Sequence, residues 1–198
     1  MRTTACVLLF LIFPFPVMSN GIERQQLQQL VIEYPDYRSE VVAVVDIGAQ
    51  NMLYYRDGVL QGEFPVSTAK NGSGNQASSH QTPLGLHYVR DKIGAEAVSG
   101  TIFKGRVDTG KLASIELRPR HTKEDLITTR ILWLSGLEPG VNSGAGVDSY
   151  QRYIYIHGTH EEGLIGKPAS HGCVRMRNQD VIDLFNQLPE KALVLIRE

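Results

Sequence analysis

The 198-residue chain is poor in the features that mark most specialised proteins. It holds 2 cysteines, Cys6 and Cys173, and the first lies in an apolar N-terminal stretch, so a disulfide framework is excluded as a source of stability. An excess of charge of one sign is also missing. Its 20 basic and 21 acidic residues leave a formal net charge of −1, which argues against a nucleic-acid partner held by bulk charge. There is no internal repeat and no strongly biased segment. Long hydrophobic runs are absent too: the stretch from Ala5 to Val17 is shorter than the roughly 20 residues of a membrane-spanning helix, and Pro14 and Pro16 interrupt it. With 42% hydrophobic residues, the chain suits one globular domain with small appendages.

The N-terminus supports two readings. MRTTACVLLFLIFPFPVMSNG offers a basic Arg2, the apolar run and Val17-Met18-Ser19 as a small-residue cleavage site, the form of a secretory signal peptide. A lone arginine and a site that is not A-x-A leave the other reading open, a start at Met18 and a cytoplasmic N-terminus. Residues 1–19 are therefore expected to be an export signal or an upstream extension, residues 20–40 a helix and linker, and residues 41–198 the main domain.

Strand signals predominate in that domain. VVAVVDI (41–47), NMLYYRDG (51–58) and VLQGEFPVSTA (59–69) are rich in Val, Ile, Tyr and Phe, and Asp57-Gly58 has the chemistry of a tight hairpin turn. A Gly/Ser/Asn-rich loop spans 70–81, and apolar patterning resumes at LGLHYVRDKI. Residues 94–125 are irregular and charged; the polar stretch 108–125 reads as a lid or a plain surface loop. TTRILWL (128–134), YIYIHGT (153–159) and ALVLI (192–196) read as further strands. Helical periodicity is confined to residues 22–34 and to VIDLFNQL (181–188), the latter with Asn178 or Asp180 as N-cap. The pattern predicts a mainly β fold, a β-sandwich or partly open barrel, with one or two peripheral helices.

The chemistry gathers around SHGCVRM (170–176). A cysteine attacks as its thiolate, and at an ordinary pKa near 8.5 little thiolate exists at neutral pH, so a base must take the proton. His171 stands two residues before Cys173, and His157 ends a strand sixteen residues before it. Gly158 and Gly172 allow close backbone approach, and the Gly172 and Cys173 amides are candidate oxyanion donors. On residue chemistry alone three readings stand: a cysteine acyl-transfer site, a zinc site from His157, His160, His171 and Cys173, or a buried cysteine among surface histidines.

IHGT (156–159), the step of fourteen residues to His171, and SHGCVRM resemble the signature of the L,D-transpeptidase catalytic domain, the YkuD family; residues 45–69 and TPLGLHYV (82–89) resemble further family segments. The likeness covers roughly 41–197, and residues 129–140 and 147–159 look like the small single-domain proteobacterial members. The resemblance implies a mainly β fold and no cofactor or metal. It implies Cys173 as nucleophile, His157 as general base oriented by the Gly158 carbonyl, and His171 as a second site histidine. Ser170 and Gly172 shape the turn. Many members carry Asn two places after the cysteine where this chain has Arg175, and a guanidinium there suits a carboxylate of the substrate. The implied partners are peptidoglycan stem peptides or muropeptides, with no nucleic acid and no stable membrane insertion of the mature domain. The implied reaction is attack on the diaminopimelate–D-Ala bond. Its alternatives are trimming of tetrapeptide muropeptides as an L,D-carboxypeptidase, or a silent wall- or zinc-binding module. Export to the periplasm is the favoured location; a start at Met18 favours a cytoplasmic trimming enzyme.

Overall fold

Alternation of apolar side chains along extended segments builds this molecule. In a computed structural model, which describes residues 25, 27–30 and 32–198, the strands are β1 (Arg38–Asp46), β2 (Asn51–Arg56), β3 (Val59–Pro65), β4 (Gly85–Ile93), β5 (Thr101–Lys104), β6 (Val107–Leu112), β7 (Ile127–Gly136), β8 (Tyr155–Thr159), β9 (Val174–Met176) and β10 (Ala192–Arg197). An α-helix, α1 (Asn178–Gln187), and a 3-10 turn at Glu162–Leu164 accompany them. The expectations for residues 1–19 lie outside the described residues. Within the expected N-terminal helix, residues 25, 27–30 and 32–33 are helical. None of the described helices is long and apolar enough to cross a membrane.

The mainly β class holds. The strands form a single open, mixed sheet in the order β3-β2-β1-β10-β4-β7-β5-β6, with β8 paired to β7 and β9 paired to β8. Two pairs are parallel, β1 with β10 and β8 with β9. β7 is the branch point. β4 pairs with its residues 131–136 and β5 with 127–128, while β8 pairs with 127–133 along the opposite edge. The register shifts between Thr128 and Ile131, where Thr129 takes φ +70°, a bulge that bends the strand at the branch.

Period-two alternation divides the buried side chains between the faces. Val41, Ala43 and Val45 of β1, Leu132 and Leu134 of β7, Ile156 of β8, and Val174 and Met176 of β9 join one core with Val181, Leu184 and Phe185 of α1 and Leu188 at its C-cap. Val42 and Val44 point the other way and pack with Leu193 and Leu27. Ile131, Trp133 and Tyr155 form a third cluster, with Phe103 and Cys173 against it. The core positions of α1 follow i, i+3, i+4, i+7, which gives it one apolar stripe.

The start of α1 differs from the expectation. Arg177 occupies the N-cap position without a side-chain cap, and Asn178 is the first helical residue. Glu162 caps from another segment: its Oε1 accepts the Asn178 N–H at 2.8 Å and the Asn178 Nδ2–H at 2.6 Å. Asp180 lies in the first turn, where the helix dipole favours an acid.

Candidate active site

The same alternation that sends Ile156, Val174 and Met176 into the main core sends their neighbours to the opposite face. β8 and β9 are in parallel register with His157 beside Arg175, so Tyr155, His157, Cys173 and Arg175 share that face. Cys173 lies just before β9, level with Tyr155, whose N–H donates to its Sγ at 3.4 Å. The thiol in turn donates to the Tyr153 carbonyl, also at 3.4 Å. His157 stands one pleat further along the neighbouring strand, roughly 7 Å in strand rise, a diagonal an imidazole can reach across.

His157 is buried and its Nδ1 lies 2.7 Å from the Gly158 carbonyl. A carbonyl only accepts, so Nδ1 carries the proton and Nε2 keeps the lone pair that a base needs. Burial pulls the His157 pKa down to about 4, with Asp125 and the Gly158 carbonyl opposing and Arg175 adding to the fall. Burial pushes the Cys173 thiol up to about 12; Asp125 adds to the rise, while the Tyr155 N–H, Arg175 and Arg152 oppose it. At neutral pH the resting pair is therefore an uncharged thiol and an uncharged imidazole, not a preformed thiolate–imidazolium.

The loop carrying the thiol is tied to distant segments. Ser67 exchanges both backbone hydrogen bonds with Arg175, and the Ala169 and Ser170 N–H groups donate to the Thr68 carbonyl. The Thr82 hydroxyl donates to the Gly172 carbonyl at 3.0 Å and accepts the Ala69 N–H. Ser170 Oγ accepts the Gly172 N–H at 3.1 Å and donates to the Cys173 carbonyl at 2.6 Å. The Gly172 amide is thus engaged within the turn, whereas the Cys173 N–H has no partner among the described residues. Of the two expected oxyanion donors, Cys173 is the one free to act. Gly172 has φ +133°, a conformation that side-chain-bearing residues rarely take. Gly158 answers a different need from the one expected: a Cβ there would lie 2.7 Å from the Thr128 carbonyl and 2.8 Å from Asn178 Oδ1, so the glycine makes room for β7 and the start of α1.

Arg175 departs most from expectation. Its side chain is 2% exposed, with Nη1 at 3.0 Å from Glu161 Oε2 and Nη2 at 2.7 Å from Asp125 Oδ1. Two carboxylates already neutralise this guanidinium, so it is not presented to a carboxylate arriving from solvent. Asp125 also holds His171, whose Nδ1 donates to Oδ2 at 2.7 Å. The His171 side chain is 50% exposed and faces the cleft rather than the core. His160 is turned elsewhere, to the Thr122 hydroxyl at 2.7 Å. Among the described residues no three His, Cys, Asp or Glu side chains converge as a metal site requires.

A cleft of about 390 Å³ is lined by His80, Arg152, Tyr153, Ile154 and His171 among others, and adjoins the thiol through Tyr153, whose carbonyl the thiol contacts. Tyr153 is 54% exposed and has φ +57°. The expected strand 153–159 begins only at Tyr155. The sequence reading missed Asp125 and Arg152. Asp125 closes the polar stretch read as a lid or loop, and Arg152 directly precedes an apolar run; neither position carries a pattern that marks it.

The L,D-transpeptidase catalytic domain (YkuD) family model matches residues 40–196. Two Bacillus subtilis proteins provisionally named as L,D-transpeptidases are similar in sequence. YqjB is 46% identical over 47 residues, 24% of this chain and 27% of its own length. YkuD is 44% identical over 59 residues, 29% of this chain and 36% of its own. The chain also superposes on an L,D-transpeptidase from Mycobacterium smegmatis with a TM-score of 0.52 and 16% identity, over 80% of this chain and 59% of that one, a likeness of fold. In each case the match spans less than two thirds of the relative's length.

Proposed function

Because the chain belongs to the L,D-transpeptidase catalytic domain family, we propose that it performs acyl transfer on peptidoglycan stem peptides through a thioester at Cys173. The observation that carries this reading is the placement, on one sheet face, of the thiol and of an imidazole whose Nδ1–H is committed to the Gly158 carbonyl, next to the cleft that Tyr153 and His171 line.

The uncharged resting pair favours general-base catalysis over attack by a standing thiolate. As Cys173 Sγ bonds to the carbonyl carbon of the diaminopimelate–D-Ala amide, its proton passes to Nε2 of His157. Charge builds on the carbonyl oxygen, where the Cys173 N–H can donate. When the C–N bond breaks, the imidazolium returns the proton to the departing amine. The thioester then passes to an amine of a second stem, giving a cross-link, or to water, giving a trimmed peptide. His171 lines the cleft and is fixed by Asp125; Arg175 and Asp125 hold the loop in shape rather than touch the peptide.

Incubation of the purified protein with a disaccharide tetrapeptide tests the reading. The expected products are cross-linked dimers, with Cys173 transiently heavier by the acyl-donor mass. Tripeptide as the sole product would replace transfer by trimming on the same site. A Cys173→Ala protein is expected to melt like the parent and give neither product; full turnover by that variant would end the proposal. The compartment rests on the N-terminal segment: a cleaved signal places the reaction in the periplasm, and a start at Met18 places it with small muropeptides in the cytoplasm. N-terminal sequencing of the natively produced protein decides between them.

A further inference from the structure

Two arginines stand near the thiol, and their electrostatic situations are opposite. Arg175 is enclosed by Asp125 and Glu161. Arg152 lines the cleft, and among the described residues no carboxylate lies within 4.0 Å of its guanidinium. Its partners are neutral oxygens: Nη1 donates to the Gly74 carbonyl at 3.2 Å, and Nη2 to the Gln81 carbonyl at 2.7 Å and the Ser79 hydroxyl at 3.3 Å. They fix the planar group without cancelling its charge. Partial burial lowers the Arg152 pKa, so the cation is held where it is incompletely solvated. The acid on the same wall, Asp148, is occupied with the backbone N–H groups of Gln151 and Gly144.

The position of Arg152 relative to the chemistry is fixed by its neighbours. The next residue, Tyr153, offers the carbonyl that the Cys173 thiol contacts at 3.4 Å. The Gln81 carbonyl that Arg152 grips lies 3.4 Å from the Cβ position of Gly172, the residue before the nucleophile. A preorganised guanidinium without a carboxylate partner, in a cleft that it shares with Tyr153 and His171, is a receptor for an anion, which its charge and its remaining Nε–H and Nη1–H donors can meet. Resting on the acyl-transfer reading, we propose that Arg152 binds a carboxylate of the stem peptide and so selects peptides that carry a free acid near the scissile amide. Two carboxylates fit that chemistry: the C-terminal one of the D-residue that leaves, and the one on the side-chain centre of diaminopimelate. The short path from Arg152 to Cys173 through Tyr153 favours the C-terminal acid, which is one residue from the scissile amide.

The test uses three peptides: the tetrapeptide with a free C-terminus, the same peptide as its C-terminal amide, and an analogue with lysine in place of diaminopimelate. Binding to the Cys173→Ala protein by calorimetry, and turnover by the unmodified protein, are measured separately. A charge-assisted contact of this kind predicts about 10- to 100-fold weaker binding of the amide. Arg152→Gln should weaken the free acid by that factor and leave the amide unchanged, and Arg152→Lys should restore part of the difference. If Arg152→Gln instead weakens the amide and leaves the lysine analogue unchanged, the bound carboxylate is that of diaminopimelate. Equal loss for all three peptides in a folded Arg152→Gln protein overturns the proposal. So does an unmodified protein indifferent to every carboxylate, a result that needs no variant. Turnover without the Arg152 preference would refute this inference alone; the preference in binding without turnover would refute the reaction instead, and neither would refute both.

Discussion

Arg175 is a buried cation whose loss would strand two acids. Glu161 is 3% exposed and Asp125 32% exposed, so both would keep charges that water reaches poorly. Removing one partner of such a cluster costs about 3–5 kcal/mol. Arg175→Gln is therefore expected to lower the melting temperature by roughly 10 °C, read by thermal unfolding. A variant that melts like the parent would return Arg175 to the role of a free substrate contact. Two buried histidines make a second prediction. His87, between the Gly85 carbonyl and Ser149 Oγ, and His157 both have pKa values lowered to about 4 by burial. Between pH 6.5 and 4 the unfolded chain binds protons that these folded residues refuse, so stability is complete above that window and falls as pH drops through it. The loss reaches up to about 3 kcal/mol per histidine. The urea midpoint should fall between pH 7 and pH 4.5, and less steeply for His87→Gln; equal slopes would contradict the assignment. At this scale Cys173, His157 and His171 were legible because short-range motifs carry their chemistry. The acid partners of Arg175 were not: Asp125 and Glu161 stand 50 and 14 residues away and meet it only in the folded sheet.

Elements depend on residues outside themselves in the same way. The C-terminal carbonyls of α1 are met by Lys92 of β4, whose Nζ donates to Phe185 O at 2.5 Å and Leu188 O at 2.7 Å while lying over the Phe185 ring. Lys92→Met keeps most of the side-chain bulk and removes both donors. It should destabilise the protein by about 1–3 kcal/mol in urea unfolding and leave turnover of the tetrapeptide unchanged. A substantial fall in turnover would mean that α1 steers the site as well as supporting it. The helix was visible in the sequence from its apolar spacing, yet its cap was misassigned because the capping acid, Glu162, arrives from the 3-10 turn. β5 and β6 were missed for a physical reason. Every residue of β6 is exposed, so no buried face imposes alternation on it. β9 is three residues long, too short for a period to show.

For the molecule as a whole, the sheet separates support from chemistry. The large core lies on one face, and the thiol, imidazole and cleft lie on the other, near the β7 branch. The described part of the N-terminal helix packs elsewhere, through Leu27 against Val42, Val44 and Leu193. Leu27→Ala should therefore cost about 2 kcal/mol of unfolding free energy while turnover of the tetrapeptide stays unchanged; a parallel fall in both would show that this contact reaches the site. The mainly β class was legible from branched and aromatic runs between turns, because each run needed a face to bury. Branching at β7 was not, since strand order is decided by which edges meet and not by any one segment.

The central place of β10 bears on how the molecule comes into being. In the order β1-β10-β4, the last of the described strands in chain order is the seam between the hairpin strands β1–β3 and the strands that carry the thiol. Until Ala192–Arg197 leave the ribosome, the ladder has a gap at its middle and the two portions expose unpaired edges. Assembly by such distant partners is slow and leaves those edges open to other chains. The seam thus couples birth to competence: a chain interrupted before Ala192 would lack the strand that joins the two portions of the sheet.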